Sequence, residues 1–295
     1  MNIDQIIQQN VPLAPFTSYK SGGEADWYAT PKSVEQLQNL IIWANNKKIP
    51  ITFLGGGTNV LVSDEGVEGL VISTLKLINH HIRGTLFVCG SGLLLDTAIN
   101  ISIENFLSGL EPLGGLPGSV GGAVWGNSAA QGVYISNFIE WVDYVDYNGS
   151  LRRYHIISGG FSYKQSPFME DLGVIVEVAF RLKPNKDSSQ ARLNKETSRK
   201  IRLEKGQFDY PSAGCFFKNQ PNFIVGKEVD KANLKGLTVG GASISPSHAN
   251  FIVNKNKEAT SSQIDQLATL IEKKIYELHK VKLTREVQLI GRWTK

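Results

Sequence analysis

The sequence predicts an α+β protein, with two subdomains over residues 1–75 and 76–190 and a C-terminal α+β domain over 191–295. Three observations predict it. Segments of helical period alternate with short strand-like runs. Glycines gather in two loops, at 54–59 after a strand and at 116–123 after a helix. After Pro184 the composition turns polar, and NKDSSQ reads as a linker ahead of a basic helix.

The elements follow in order. PKSVEQLQNLIIWANNKK places Val34, Leu37, Leu40, Ile41 and Ala44 on one helical face, and Ser33 with Gln36 fits a capping box. ITFL is a short strand running into Gly55, Gly56 and Gly57, and GLVIST is another buried strand. TLFVCGSG is a strand in which Cys89 is a core residue, as free cysteines commonly are. LLDTAINISIENFLSGL is helical, and GLEPLGGLPGSVGGAVWGN is a glycine-dense loop. WVDYVDYNGSLRRYH is a hairpin turning at Asn148-Gly149, and VIVEVAFRLKP is a strand stopped by Pro184. Beyond the basic stretch 192–205 lie strands around ASISPSHANFIVN. A long helix carries Ile264, Leu267, Leu270, Ile271, Ile275 and Leu278 in one stripe, with Ser262 and Asp265 as its capping box, and REVQLIG is the last strand.

Composition narrows the function. A 41% hydrophobic and 20% charged chain of 295 residues is an ordinary globular protein with room for a large core. The two cysteines, Cys89 and Cys215, form no disulfide framework and suit a reducing, cytoplasmic compartment. The amino terminus lacks a secretory pattern, and no apolar run approaches the roughly 20 residues of a membrane span. A net charge of +4, scattered along the chain, gives no basic stripe for nucleic acid. The five histidines show no metal-ligand spacing.

Neither common phosphate loop is present. Val60 stands where GxGxxG needs its third glycine, and Gly226-Lys227 is followed by Glu228 with Pro221 at the first-glycine place. The two glycine loops remain. Each can turn several N–H groups toward one anion, since no Cβ blocks the approach. Together they suit a dinucleotide held without the Rossmann motif. A third motif, YPSAGCFFKN, leaves Cys215 open as a packing residue, nucleophile, metal ligand or proton donor.

FTSYKSGGEADWY, ITFLGGGTNVLVSDEGVEGLVIS, GLEPLGGLPGSVGGAVWGN, YPSAGCFFKN, SHANFIVN and REVQLIG, in that order, resemble the UDP-N-acetylenolpyruvoylglucosamine reductase family from about Val11 to Gly291. The resemblance implies a two-subdomain FAD-binding unit of the PCMH/VAO type and a C-terminal substrate domain. KNKEAT, short before the final helix, fits the form without an extra tyrosine-bearing loop. Implied with it are non-covalent FAD, NADPH, a UDP-linked enolpyruvyl sugar, a place in peptidoglycan precursor synthesis, and a bacterial cytoplasmic monomer. Other readings are a different FAD-linked dehydrogenase of the same fold and a non-catalytic flavin-binding homologue.

By the same resemblance Gly55, Gly56, Gly57, Thr58 and Asn59 would cradle the FAD pyrophosphate, with Gly118, Ser119, Gly121 and Gly122 on its other side. Cys215 would donate the proton that completes reduction. A thiol of pKa about 8.5 is protonated at neutral pH yet releases its proton readily. Glu286 would polarise the substrate, against the alternative of an exposed strand carboxylate. Lys218 and Asn219 would contact substrate or nicotinamide nucleotide. Arg202 would take the diphosphate, against the alternative of a solvated helix charge. SYKQS departs from the family pattern: Tyr163 and Ser166 match, but Lys164 stands where the family has arginine, keeping the charge and losing the two-pronged fork. WGNSAAQG also departs from the family run.

Overall fold

The computed structural model describes residues 3–170 and 172–293. Its numbered elements are β1 (Ile7–Pro12), β2 (Glu24–Ala29), α1 (Val34–Asn46), β3 (Ile51–Leu54), β4 (Val60–Val62), β5 (Val67–Ser73), β6 (His80–Arg83), β7 (Leu86–Gly90), α2 (Leu95–Glu104) and α3 (Val120–Trp125). There follow β8 (Ile139–Val145), β9 (Leu151–His155), β10 (Val174–Arg181), α4 (Ser188–Glu204), α5 (Val225–Lys231), β11 (Ala242–Ile244), β12 (Ile252–Asn254), α6 (Ser261–His279) and β13 (Gln288–Ile290). Helices and mixed sheets make this an α+β fold. The chain divides into two compact units and passes between them after Gln8, Asp26, Gly56, Glu68 and Ile201.

The first unit is built on an antiparallel five-stranded sheet in the order β9-β8-β10-β7-β6. One apolar set joins Phe87, Cys89, Val142, Val178 and Phe180 of that sheet to Ala98 and Ile99 of α2 and Val124 of α3. Burial pushes the Cys89 thiol far up, and the charge of Glu177 adds to it, so this cysteine is core. A second set packs Leu37, Leu40 and Ile41 of α1 against Leu70, Ile72, Val145, Val174 and Val176. Burying each such side chain is worth about 1.5–3 kcal/mol. β3 pairs in parallel with β5, Ile51 opposite Leu70, within the sheet order β1-β2-β5-β3.

In the second unit a small antiparallel sheet of Thr238–Val239, β11 and β12 is covered by α6. Ile264, Leu267, Ala268, Ile271 and Ile275 form the buried stripe. Ala268 completes it; Leu278 is exposed and Leu270 is half-buried. β4 and β13 pair in parallel, Val60 opposite Gln288.

Four local expectations change. The capping box of α6 is Thr260 with Gln263, not Ser262 with Asp265, because tertiary partners claim those two side chains. The second glycine loop is partly helical: Ser119 caps α3, which contains Gly121 and Gly122. α2 stops at Glu104, and Phe106 takes a left-handed φ of +56° that no helix continues. The polar stretch NKDSSQ is half helix, since Asp187 accepts the amides of Ser189 and Gln190 at the start of α4, and position 190 lies in its first turn. The hairpin at Asn148-Gly149 forms as expected, with Val145 opposite Leu151 and Gly149 at φ +84°. Asp146 accepts the Asn148 and Ser150 amides across that turn. Among the described residues no helix is long and apolar enough to cross a membrane.

Candidate active site

Within the second unit, three segments distant in sequence are stitched together. Phe217 and Arg285 form an antiparallel bridge, and Cys215 forms another with Phe251. The Glu286 amide donates to the Phe216 carbonyl at 2.7 Å, and the Val287 amide reaches the same oxygen at 3.5 Å. Two successive amides on one carbonyl are the pattern of a β-bulge, which re-aims a side chain and recurs beside active sites. Cys215 therefore precedes the residue whose carbonyl holds the Glu286 backbone. Both side chains are half-buried.

The buried Asn250 of HANFIVN fixes the cysteine segment. Its carbonyl accepts from the Phe216 amide at 2.7 Å, and its side chain brackets Phe217, accepting from the amide at 3.1 Å and donating to the carbonyl at 2.8 Å. The Lys218 amide donates to Thr284 at 2.8 Å. Asn219 is exposed, and its side-chain oxygen accepts the Val225 amide at 3.0 Å, at the start of α5. Arg202 is half-buried. Burial lowers its pKa, and negative charge at Cys215 opposes that shift, which puts the two groups within electrostatic reach.

The first glycine loop enters this cluster through its second half. Gly57 has φ +64°, and a Cβ there would sit 2.0 Å from the Phe16 carbonyl, so only glycine fits. Thr58 is half-buried. Asn59 donates its side-chain amide to the Glu286 carbonyl at 3.2 Å, and its own carbonyl accepts from the Gln288 amide at 3.0 Å.

In the first unit, Gly55 and Gly56 meet the second loop. A Cβ on Gly56 would lie 2.8 Å from Gly118 Cα and 3.1 Å from the Ser119 nitrogen; one on Gly55 would lie 3.0 Å from Ser119 Oγ and 3.9 Å from Gly122 Cα. The amides of Gly121 and Gly122 are spent on Ser91 O at 2.8 Å and Ser119 Oγ at 3.3 Å. A Cβ on the buried Gly121 would sit 2.7 Å from Ser91 Cβ, so that glycine serves close packing, and of the two only Gly122 is exposed. A buried Lys195 ties to Asp96 at 2.8 Å, and Asp96 accepts the Gly115 amide at 2.9 Å, which anchors the approach to this loop.

Tyr163 and Lys164 form the tip of a turn closed by reciprocal amide–carbonyl bonds of 3.2 Å between Ser162 and Gln165. Lys164 holds φ +54°, a conformation usually left to glycine or asparagine. The turn is tied to the end of α3: Ser166 Oγ donates to Trp125 O at 2.6 Å, and Asn127 Nδ2 donates to Ser162 O at 2.7 Å. Tyr163 is exposed and Lys164 half-buried.

Residues 206–290 match the family model described as UDP-N-acetylenolpyruvoylglucosamine reductase, C-terminal domain, and residues 25–155 match one described as FAD binding domain. The UDP-N-acetylenolpyruvoylglucosamine reductase of Staphylococcus haemolyticus is 34% identical over 293 residues, covering 99% of this chain and 94% of that protein. The reductase of Staphylococcus aureus strain COL is 33% identical over 290 residues, covering 98% and 94%. The chain belongs to the UDP-N-acetylenolpyruvoylglucosamine reductase family. The crystal structure of the Thermus caldophilus member superposes with a TM-score of 0.81 at 30% identity, covering 96% of this chain and 98% of that one.

The residues present suit an FAD. Gly122 lies at the surface, and a Cβ there would touch only Ser119 Oγ, at 3.5 Å. The Gly55–Gly56 and Gly118–Ser119 backbones thus pack directly against one another, and Gly122 beside them is left without a side chain at the surface. Sequence reasoning missed Asn250, Asn127 and Arg285 as organisers. Asn250 lay inside a motif singled out only as a motif. Arg285 carried a signal that was readable: Asp265, Thr269 and Glu272 recur at helical spacing along one face of α6 and bind its guanidinium.

Proposed function

We propose that this chain reduces the enolpyruvyl ether of UDP-N-acetylglucosamine to UDP-N-acetylmuramate, with Cys215 as proton donor and Glu286 and Lys164 as electrostatic partners. It is an FAD-dependent oxidoreductase of peptidoglycan precursor synthesis that uses NADPH. FAD, held by the glycine loops, would supply the hydride relay between NADPH and the enolpyruvyl double bond. The chain's own residues do the rest. Cys215 delivers one proton to the remaining carbon, so substrate, NADPH and a proton become product and NADP⁺. Glu286 stabilises the enol form, and Lys164 supplies the positive charge that stabilises the developing enolate. Arg202, Lys218, Asn219 and Tyr163 bind the UDP-linked portion. The side-chain oxygen of Asn219 is engaged with Val225, so its free contribution is its amide donor.

One observation carries this reading: the Cys215 segment and the bulged Glu286 segment share the Phe216 carbonyl. Backbone segments carrying Cys215 and Glu286, 71 residues apart in sequence, are thereby paired, and the charge coupling of Arg202 to Cys215 adds support to the reading. We place the enzyme in the cytoplasm as a monomer that acts without nucleic acid or membrane; neither Cys89 nor Cys215 is in a disulfide, which suits a reducing compartment. The test is spectroscopic. The purified protein should be yellow, NADPH should bleach it without oxygen, and the UDP-linked enol ether should restore the colour. A bleached protein that stays bleached with that substrate refutes the assignment.

A further inference from the structure

Glu286 has a neighbour with an unusual set of bonds. The Arg285 guanidinium donates to Glu272 Oε1 at 2.7 Å and Oε2 at 3.1 Å, to Thr269 Oγ1 at 3.0 Å, and to Asp265 Oδ1. All three partners lie on α6. The side chain is 21% exposed and stacks over the Phe216 ring at 5.8 Å. Burial opposes its charge, but the two carboxylates outweigh burial and hold it firmly protonated.

A partly buried ion cluster is weak grounds for stability, since desolvation offsets much of the attraction. What a forked guanidinium on three acceptors does provide is orientation. Orientation is what this place lacks. β4 and β13 pair over only three residues, and so short a ladder specifies its register poorly. The residue before β4 is Asn59, and Glu286 stands two residues before β13. α6 braces both strands. At its amino end Asp64, just beyond β4, accepts the amides of Ser261 and Ser262, each at 2.8 Å. One turn further on, and through two turns, Asp265, Thr269 and Glu272 grip Arg285.

We propose that Arg285 is a positioning residue for the reduction, bracing the Glu286 backbone through α6 so that the carboxylate keeps its place beside the Cys215 segment. The proposal rests on the functional reading above. It separates the two halves of the reaction: protonation of the substrate depends on the brace, and hydride delivery from NADPH does not.

The test uses Arg285→Ala and Arg285→Lys in the flavin-loaded protein, with two readouts. The first is stopped-flow flavin absorbance. Reoxidation by the UDP-linked enol ether should slow about 10- to 100-fold in Arg285→Ala, the scale of an ångström-sized misplacement. Arg285→Lys should fall between that and wild type, and NADPH should bleach both variants at the wild-type rate. The second is amide hydrogen exchange over residues 284–288 without substrate, which should quicken in both variants while the buried turns of α6 keep their protection. Equal slowing of both half-reactions, unchanged reoxidation, or unchanged exchange in the folded variants would overturn the brace. If Arg285→Ala does not fold, Arg285→Lys decides. Wild-type flavin that the enol ether cannot reoxidise would refute the reductase reading instead, and the exchange readout still judges the brace.

Discussion

Gly56→Ala tests the cofactor cradle most directly. The new methyl would sit 2.8 Å from Gly118 Cα, with the Ser119 nitrogen at 3.1 Å and the Gly118 carbonyl carbon at 3.3 Å. All three are backbone atoms, so no side chain can swing away. Ordinary contact begins near 3.4 Å, so the two loops must part by at least 0.6 Å. Overpacking of this kind costs about 1–3 kcal/mol. If the loops stay together without cofactor, the cost appears as lost stability. If they relax apart, FAD must draw them back and the cost appears as weaker binding, about 5- to 150-fold. Flavin absorbance per protein and a reconstitution titration give the affinity, and thermal melts of the flavin-free protein give the stability. Gly122→Ala is the counterpart. Its methyl would meet protein only at 3.5 Å, and alanine in a helix is worth about 0.8–1 kcal/mol over glycine. That variant should melt no lower than wild type yet bind FAD more weakly. Gly56→Ala with wild-type melting and affinity, or Gly122→Ala with wild-type affinity, would refute the cradle.

Cys215→Ala should leave NADPH bleaching of the flavin intact and cut turnover about 10²- to 10⁴-fold, the usual worth of a placed general acid; equal loss of bleaching would point to a different role. Lys164→Arg isolates the head group, because either side chain occupies the same φ +54° position. Its kcat/KM should equal or exceed the wild-type value, and a folded but inactive variant would reject Lys164 as the enol's cation. Asp96→Asn tests the anchor of the second glycine loop. Burial raises the Asp96 pKa, but hydrogen bonds from Lys195 and Gly115, with the charges of Lys195 and Arg199, bring it net down. A lowered carboxylate pKa adds stability that is present above about pH 4 and lost as pH falls through the folded value. Asp96 is 40% exposed, so solvent screening limits the effect to about 1 kcal/mol. The melting gap between variant and wild type should be open at pH 7 and close as pH falls through the lowered carboxylate pKa; a gap constant with pH would reject the ionised pair.

What was legible in the sequence was local. α1 and α6 follow from apolar spacing, and the hairpin from Asn148-Gly149, because each depends on residues within one or two turns. The errors have a common cause. Thr260/Gln263 and Ser262/Asp265 both fit a capping pattern, and nothing nearby chooses between them. The choice is made by Asp64, which accepts the Ser262 hydroxyl at 2.6 Å from 198 residues away, and by Arg285, which takes Asp265. The end of α2 was missed for the opposite reason: Phe106 must adopt a left-handed φ that its side chain gives no warning of.

The site was legible to the same depth and no further. The motifs point to Cys215, Glu286 and both glycine loops, and the structure adds bonds that no motif announces. Asn59, expected at the pyrophosphate, also donates its side-chain amide to the Glu286 carbonyl. Gly121 and Gly122 were expected as part of a donor-rich loop, and their amides are committed inside the protein. A glycine motif states only that backbone comes close to something; whether it comes close as a donor or as bare space depends on which carbonyls and hydroxyls the fold brings up behind it. For the second loop those are Ser91 and Ser119, which take the Gly121 and Gly122 amides and leave Gly122 as bare surface. A cofactor analogue that keeps its bulk but loses phosphate charge should then be tolerated against Gly122 better than an added methyl is.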